Sequence, residues 1–207
     1  MGAAVGLLAC LAQVSCNRAA VRIPGASLSF PPTSTHFVAQ PSLPYTVFVA
    51  LPTDARAQHY GEHVAGTKWT GCSTDPFWET DVPALIRQRL ATELAESKLF
   101  ERVSLGPPDP DDVVIRTEID ALCSQVIGFI YGRVAGISSL KITVERNQRR
   151  LFEDKFERVV TDADREYTGS QAGFIEQAMA VTIADSLREL FRDFLGRLQR
   201  ESEAWKG

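Results

Sequence analysis

Apolar and polar residues alternate most cleanly between Asp112 and Cys123. Val113, Ile115, Thr117, Ile119, Ala121 and Cys123 fall on one face, and Arg116, Glu118 and Asp120 on the other. This period of two marks a half-buried strand. Ser139 to Glu145 repeats it, with Leu140, Ile142 and Val144 inward. A third run follows the polar turn Asn147–Arg150, with Phe152, Phe156 and Val160 as its apolar members. Three such strands in sequence predict an antiparallel meander with one wet face. Upstream, the β-rich run Tyr45–Leu51 ends at Pro52 and reads as a strand buried on both faces. Phe100–Leu105 reads as a short strand before the turn Gly106–Pro110.

Two stretches carry the helical period. Asp81 is placed to cap a helix with Pro83 in its first turn. Val82, Ile86, Leu90 and Leu94, joined by Leu85, line its buried side through about Ser97. A terminal helix is expected from Ser170 to about Glu201, with a stripe of Phe174, Ala178, Val181, Leu187, Leu190, Phe191, Phe194, Leu195 and Leu198. The order β-α-β-β-β-β-α predicts an α+β fold. It is a two-layer sandwich, a mainly antiparallel sheet with both helices on one face. About 32 helical residues span ~48 Å, whereas an eight-residue strand covers only ~27 Å. The surplus around Phe191, Phe194, Leu195 and Leu198 is therefore expected to dock on the 52–80 loop or offer a partner-binding face. The apolar, Gly-containing run Val126–Gly136, with Phe129 and Ile130, either lengthens its flanking strands or forms a loop that touches lipid or a partner.

The N-terminus changes the picture. Met1–Val14 is apolar or small throughout, and charge first enters at Arg18. Such a run is too short for a membrane-spanning helix of about 20 residues but fits the core of a signal peptide. No Lys or Arg precedes it, a departure from the usual charged start. A buried helix of the fold is the other reading, weakened by Pro24, Pro31, Pro32, Pro41 and Pro44 close behind. Two cysteines sit at the exit. Leu7-Leu8-Ala9-Cys10 resembles a lipobox more closely by residue type. Cleavage before Cys16 leaves a longer signal and a polar mature start, and Cys16 is preferred over Cys10 as the lipidated residue. Residues 1–15 then form the signal peptide, 16–44 a Pro-rich tether to the membrane, and 45–201 the folded domain. Cys72 and Cys123 remain, and in an oxidising compartment they are expected to pair, the alternative being two separate buried thiols. Closing that loop contributes ~4 kcal/mol in the chain-entropy model.

Composition sets bounds. Net charge is −4 and the hydrophobic fraction 44%, ordinary for a globular protein. An acidic balance without a basic patch argues against nucleic-acid binding. His59-Tyr60-Gly61-Glu62-His63 spells the inverted zinc-protease motif H-x-x-E-H, with His59 and His63 as ligands and Glu62 as base. Gly61 within it and the lack of a flanking apolar stripe favour a chance match in a surface loop. Ser138-Ser139-Leu140-Lys141 matches S-x-x-K, but opens a strand where that chemistry needs a helix. No catalytic residue, metal or cofactor is expected.

Asp54-Ala55-Arg56 after the first strand, the Phe77-Trp78 approach to a helix ending LATELAESKLFERV, and the strands closed by a long helix resemble a known group. This group comprises the small periplasmic lipoproteins that accompany bacterial ABC transporters of lipids, and the YajG-like lipoproteins of similar layout. The resemblance covers about residues 45 to 198. It implies an outer-membrane anchor facing the periplasm, no catalytic residues, and a non-catalytic role in envelope assembly or lipid traffic through a protein partner. The second mature residue, Asn17 (or Leu11 if Cys10 is lipidated), is not Asp, so by resemblance to enterobacterial sorting the protein is expected in the outer membrane. A lipoprotein that binds a hydrophobic ligand directly is the alternative, and a secreted metal-dependent hydrolase using the His59–His63 loop is the rival of a different class.

Overall fold

A computed structural model describes residues 35–39, 42–59, 63–64, 67–68, 81–127, 133–162 and 172–206. The elements are β1 (Leu43–Val49), β2 (Thr53–Asp54), β3 (His63–Val64), β4 (Thr67–Lys68), α1 (Val82–Ser97), β5 (Phe100–Ser104), β6 (Val113–Ile127), β7 (Arg133–Arg146), β8 (Arg149–Thr161) and α2 (Ala172–Ser202). A short 3₁₀ turn, Glu203–Lys206, follows. The fold is α+β. Its main sheet has the order β5-β1-β6-β7-β8, with β2 also paired to β6. The long β6-β7-β8 meander is antiparallel, while β1 runs parallel to both β5 and β6. No described helix is long and apolar enough to cross a membrane.

Local chemistry places these elements where the pattern predicted them. Asp81 caps α1 by accepting the Ala84 N–H, with proline at the start. Lys98 closes the helix in the left-handed region at φ 55°. Asn147 and Gln148 both adopt positive φ between β7 and β8, as a two-residue hairpin turn twisted to match its strands requires. Val82, Ile86, Leu90 and Leu94 of α1 join Val47, Val49, Ile115, Ile142 and Val144 in one core with the α2 residues Leu187, Leu190, Phe191 and Phe194. Both helices thus cover the same face of the sheet. Phe194 stacks edge-on against Phe156 at 5.6 Å between centroids and tilts against Phe152 at 6.4 Å. Val181, which the helical period puts on the buried stripe, is instead exposed.

The structure departs from the sequence reading in four ways. The meander strands are much longer than expected. At 14 residues, β7 spans ~46 Å, and the 31 residues of α2 span ~46 Å as well. The helix has no surplus. Phe191, Phe194, Leu195 and Leu198 are all 0% exposed, so the expected partner-binding face is core. Hydrophobic burial against the lengthened strands holds that stripe inside.

Strand parity also changes along β6. A bulge between Ile119 and Ala121 inserts one residue, Asp120, and side chains beyond it swap faces. Ile119 and Leu122 enter the main core. Ala121 and Cys123 join Val64, Ala135, Ile137 and partly buried Val159 in a second, smaller cluster on the opposite face. The expected single face for Ile119, Ala121 and Cys123 is therefore split.

The expected two-sided burial of the first strand fails as well. Leu43, Val47 and Val49 are buried, but Pro44 is exposed and Tyr45, Thr46 and Phe48 are only half-buried. Finally, residues 35–39 do not behave as tether. Thr35 donates its N–H to the buried Glu93 carboxylate at 3.0 Å, Ala39 N–H bonds the Ser97 carbonyl at 2.8 Å, and both Thr35 and Ala39 are buried. Glu93 also faces Arg89 at 3.0 Å. A buried carboxylate is tolerated because it is paired and hydrogen-bonded, and it fixes the chain's entry onto α1.

Small residues let α2 lie close to the sheet. A Cβ built on Gly136 of β7 falls on the Thr182 and Ile183 backbone. Ser138 on the same strand and Thr182 and Ser186 on the helix are buried, with the Ser186 hydroxyl donating back to Ile183 O at 2.8 Å.

Candidate functional site

The face of the sheet turned away from the helices is polar across its middle and partly roofed by the segment after β1. Pro52 has no N–H to extend the ladder. The chain leaves β6 there and pairs with it again at β2, where Thr53 and Asp54 lie beside Glu118 and Ile119. Ala55 N–H bonds Ile119 O at 3.0 Å. A turn follows, with Gln58 and His59 N–H groups both on Ala55 O.

Arg56 and Asp54 lock the start of this roof. The guanidinium forks onto the carboxylate, Nε to Oδ1 at 2.9 Å and Nη2 to Oδ2 at 2.7 Å. The Arg56 N–H adds a third bond. Arg56 is 4% exposed. Its side-chain hydrogen bonds hold the Asp54 carboxyl below its ordinary value of 3.8, outweighing burial, which acts the other way. A lowered carboxylate pKa stabilises the fold above the unfolded-state value, and that contribution is lost as pH falls through the folded value. We therefore expect the Arg56–Asp54 contribution to be complete above about pH 4 and to vanish on further acidification. A carbon-13 carboxyl titration should find Asp54 below its ordinary value in the wild type, and raised toward or above it in Arg56→Gln.

At the end of the turn His59 stands over the outer face of β6. Its Nε2 is 3.7 Å from Glu118 Oε1 and 3.5 Å from Asp120 Oδ1. Asp120, the bulge residue, is 5% exposed. Its other oxygen faces Lys155 Nζ at 3.3 Å and the Ser139 hydroxyl at 3.5 Å. Lys155 also pairs with Glu157 at 3.1 Å. Burial alone would lower the Lys155 pKa, but the Glu157 hydrogen bond and the Asp120 and Glu157 charges hold it above its usual value. Lys141, Glu153, Arg116 and Glu145 continue the charged surface along the strands.

A second feature lies along the β8 edge of the sheet. The segment Thr35–Val38, β8 and α2 enclose an open groove of ≈ 760 Å³ bordered by Arg158, Arg192, Arg197 and Arg200. Asp193 binds Arg158 across it, and Glu201 binds Arg197 at 2.9 Å. Val38 is 60% exposed at its rim.

The residues singled out from sequence fare differently. The H-x-x-E-H spacing is not helical, since His59 ends a turn and His63 lies in β3. Glu62 and the His63 side chain lie outside the described residues. His59 instead meets Glu118 and Asp120, on the face of β6 that alternation assigns to solvent. The i, i+2 spacing of two carboxylates on one strand face was the available signal, but nothing local placed a histidine above them. Cys123 is buried on β6, while Cys72, Cys10, Cys16, Phe129 and Ile130 lie outside the described residues. Ser138 and Ser139 sit within β7, in a strand and not at the start of a helix.

No family model matches the chain, and no curated protein matches it by sequence. Solved structures do match in shape. A DUF330 protein from Xanthomonas campestris superposes with a TM-score of 0.55 at 12% identity, covering 84% of this chain and 96% of that one. A minor lipoprotein from Acinetobacter baumannii gives a TM-score of 0.45 at 14% identity, covering 80% and 96%. The chain therefore shares the fold of the DUF330 protein, a small bacterial α+β domain. Neither of these two structures points to YajG-like lipoproteins in particular.

Proposed function

We propose that this chain is an envelope lipoprotein whose domain is a non-catalytic interaction or assembly module. The observation that carries the reading is the apolar Met1–Val14 run, with Cys10 inside it and Cys16 just beyond it, followed by a Pro-rich stretch. Cys16 is the lipidated residue, Cys10 its alternative, and Cys72 pairs with Cys123 in the oxidising compartment that export implies. The anchor lies in the outer membrane with the domain in the periplasm, in line with the residue after Cys16. A role beside a lipid transporter rests on the sequence resemblance to ABC-transport auxiliary lipoproteins.

Burial of the α2 stripe moves the partner surface elsewhere. The groove beside Thr35–Val38 is the face next to the tether, and its basic lining residues outnumber Asp154, Glu157 and Asp193, which favours an acidic protein surface. The alternative, a hydrophobic ligand held between helices and sheet, is disfavoured by the packing of Phe152, Phe156 and Phe194 in that layer. Metabolic labelling with a palmitate analogue tests the anchor. Label is expected on the wild type and on Cys10→Ser, and its loss, with release from membranes, on Cys16→Ser. Loss on Cys10→Ser alone would move the anchor to Cys10. An unlabelled wild type would end the lipoprotein reading.

A further inference from the structure

His59, Glu118 and Asp120 each present one donor atom, and the three atoms all lie within 4.8 Å of one another. The His59 Nε2 distances of 3.5 and 3.7 Å to the two carboxylates are long for a hydrogen bond, whose N···O range is about 2.7–3.2 Å. They are close to what a shared ion sets: donors at ~2.0–2.2 Å around a tetrahedral centre stand ~3.3–3.6 Å apart. Asp120 supplies an independent mark. It is 5% exposed, yet its Oδ1, the atom aimed at His59, accepts no hydrogen bond. A buried carboxylate oxygen left so is costly, and it occurs where a cation completes the site. Lys155 and Ser139 hold the other oxygen and fix the carboxylate's orientation, as the supporting contacts of metal ligands do.

We infer that these three residues form a divalent-cation site whose imidazole and two carboxylates suit Zn²⁺. The ion clips the turn carrying His59 onto the bulge of β6. With neutral imidazole the ligands carry two negative charges, which a divalent ion balances. The site is structural in purpose. Its ligands come from the strand and the roof, not from the H-x-x-E-H spacing, and it stands independently of the lipid anchor.

The test uses the full-length protein in detergent, stripped with a chelator and titrated with Zn²⁺ alone by calorimetry at neutral pH. One equivalent is expected to bind and to raise the melting temperature. His59→Gln and Asp120→Asn should each weaken binding at least about tenfold, the range seen even for residues that only support ligands. Glu62→Gln and His63→Gln should leave it unchanged. His59→Gln and Glu118→Gln alter partly exposed side chains, so a folded variant remains to be read should Asp120→Asn lose its fold. Absence of saturable binding, binding unaffected by His59→Gln, or binding abolished by His63→Gln would each overturn the assignment.

Discussion

Replacing Gly136 with alanine is expected to cost about 3 kcal/mol or more, the upper end for adding atoms to a packed core. The new methyl falls on the Thr182–Ile183 backbone, and backbone held in a helix cannot swing aside as a flexible side chain can. For a domain of this size each kcal/mol lowers the melting temperature by roughly 2–4 °C, so a fall of about 6–12 °C should appear in thermal unfolding. Gly136→Val should be worse. A compensating Ile183→Ala would not rescue either, because the collision is with main-chain atoms. A melting temperature unchanged by Gly136→Ala would mean that α2 does not lie on β7 as described.

The second large effect is Phe194→Ala. Phe194 is 0% exposed and its ring packs on Phe152 and Phe156. Deleting a buried aromatic of this kind costs about 3–5 kcal/mol, so chemical denaturation should find the domain much less stable. The expectation from helix length alone, a partner face at Phe191, Phe194, Leu195 and Leu198, has the opposite signature. It requires near-normal stability with lost binding. Denaturant midpoints of Phe194→Ala and Leu198→Ala separate the two.

How these elements could be read in the sequence follows from their physics. The α1 cap, the hairpin turn at Asn147–Gln148 and the β6-β7-β8 meander were legible because capping, turn chemistry and alternation are local. The true length of β7 was not. Gly136, Ser138 and Ser139 look like a break by composition, yet they are small because a helix lies against them or because the outer face is polar. The bulge at Asp120 was equally hidden, since alternation continues through Ala121 and Cys123 whether or not one residue is inserted. Its effect shows only in which neighbours those side chains meet, Val64 and Ile137 on the far face.

The candidate metal site shows the same limit. His59 drew notice through a local spacing that the backbone does not honour. Its actual partners, Glu118 and Asp120, are set by the return of β2 to β6 after Pro52, a long-range pairing with no local signature. Likewise, Glu93 reads as an ordinary polar helix residue, and only the docking of Thr35 explains why a carboxylate is buried there.

The lipid anchor is the central claim, and the most direct measurement is the mass of the mature N-terminal peptide from protein made in its native host. A diacyl or triacyl mass on a peptide beginning at Cys16, or at Cys10, is the expected result and fixes the chain in the envelope. An unmodified peptide beginning at Met1 would contradict it, removing the basis for the anchor, the disulfide and the envelope role together.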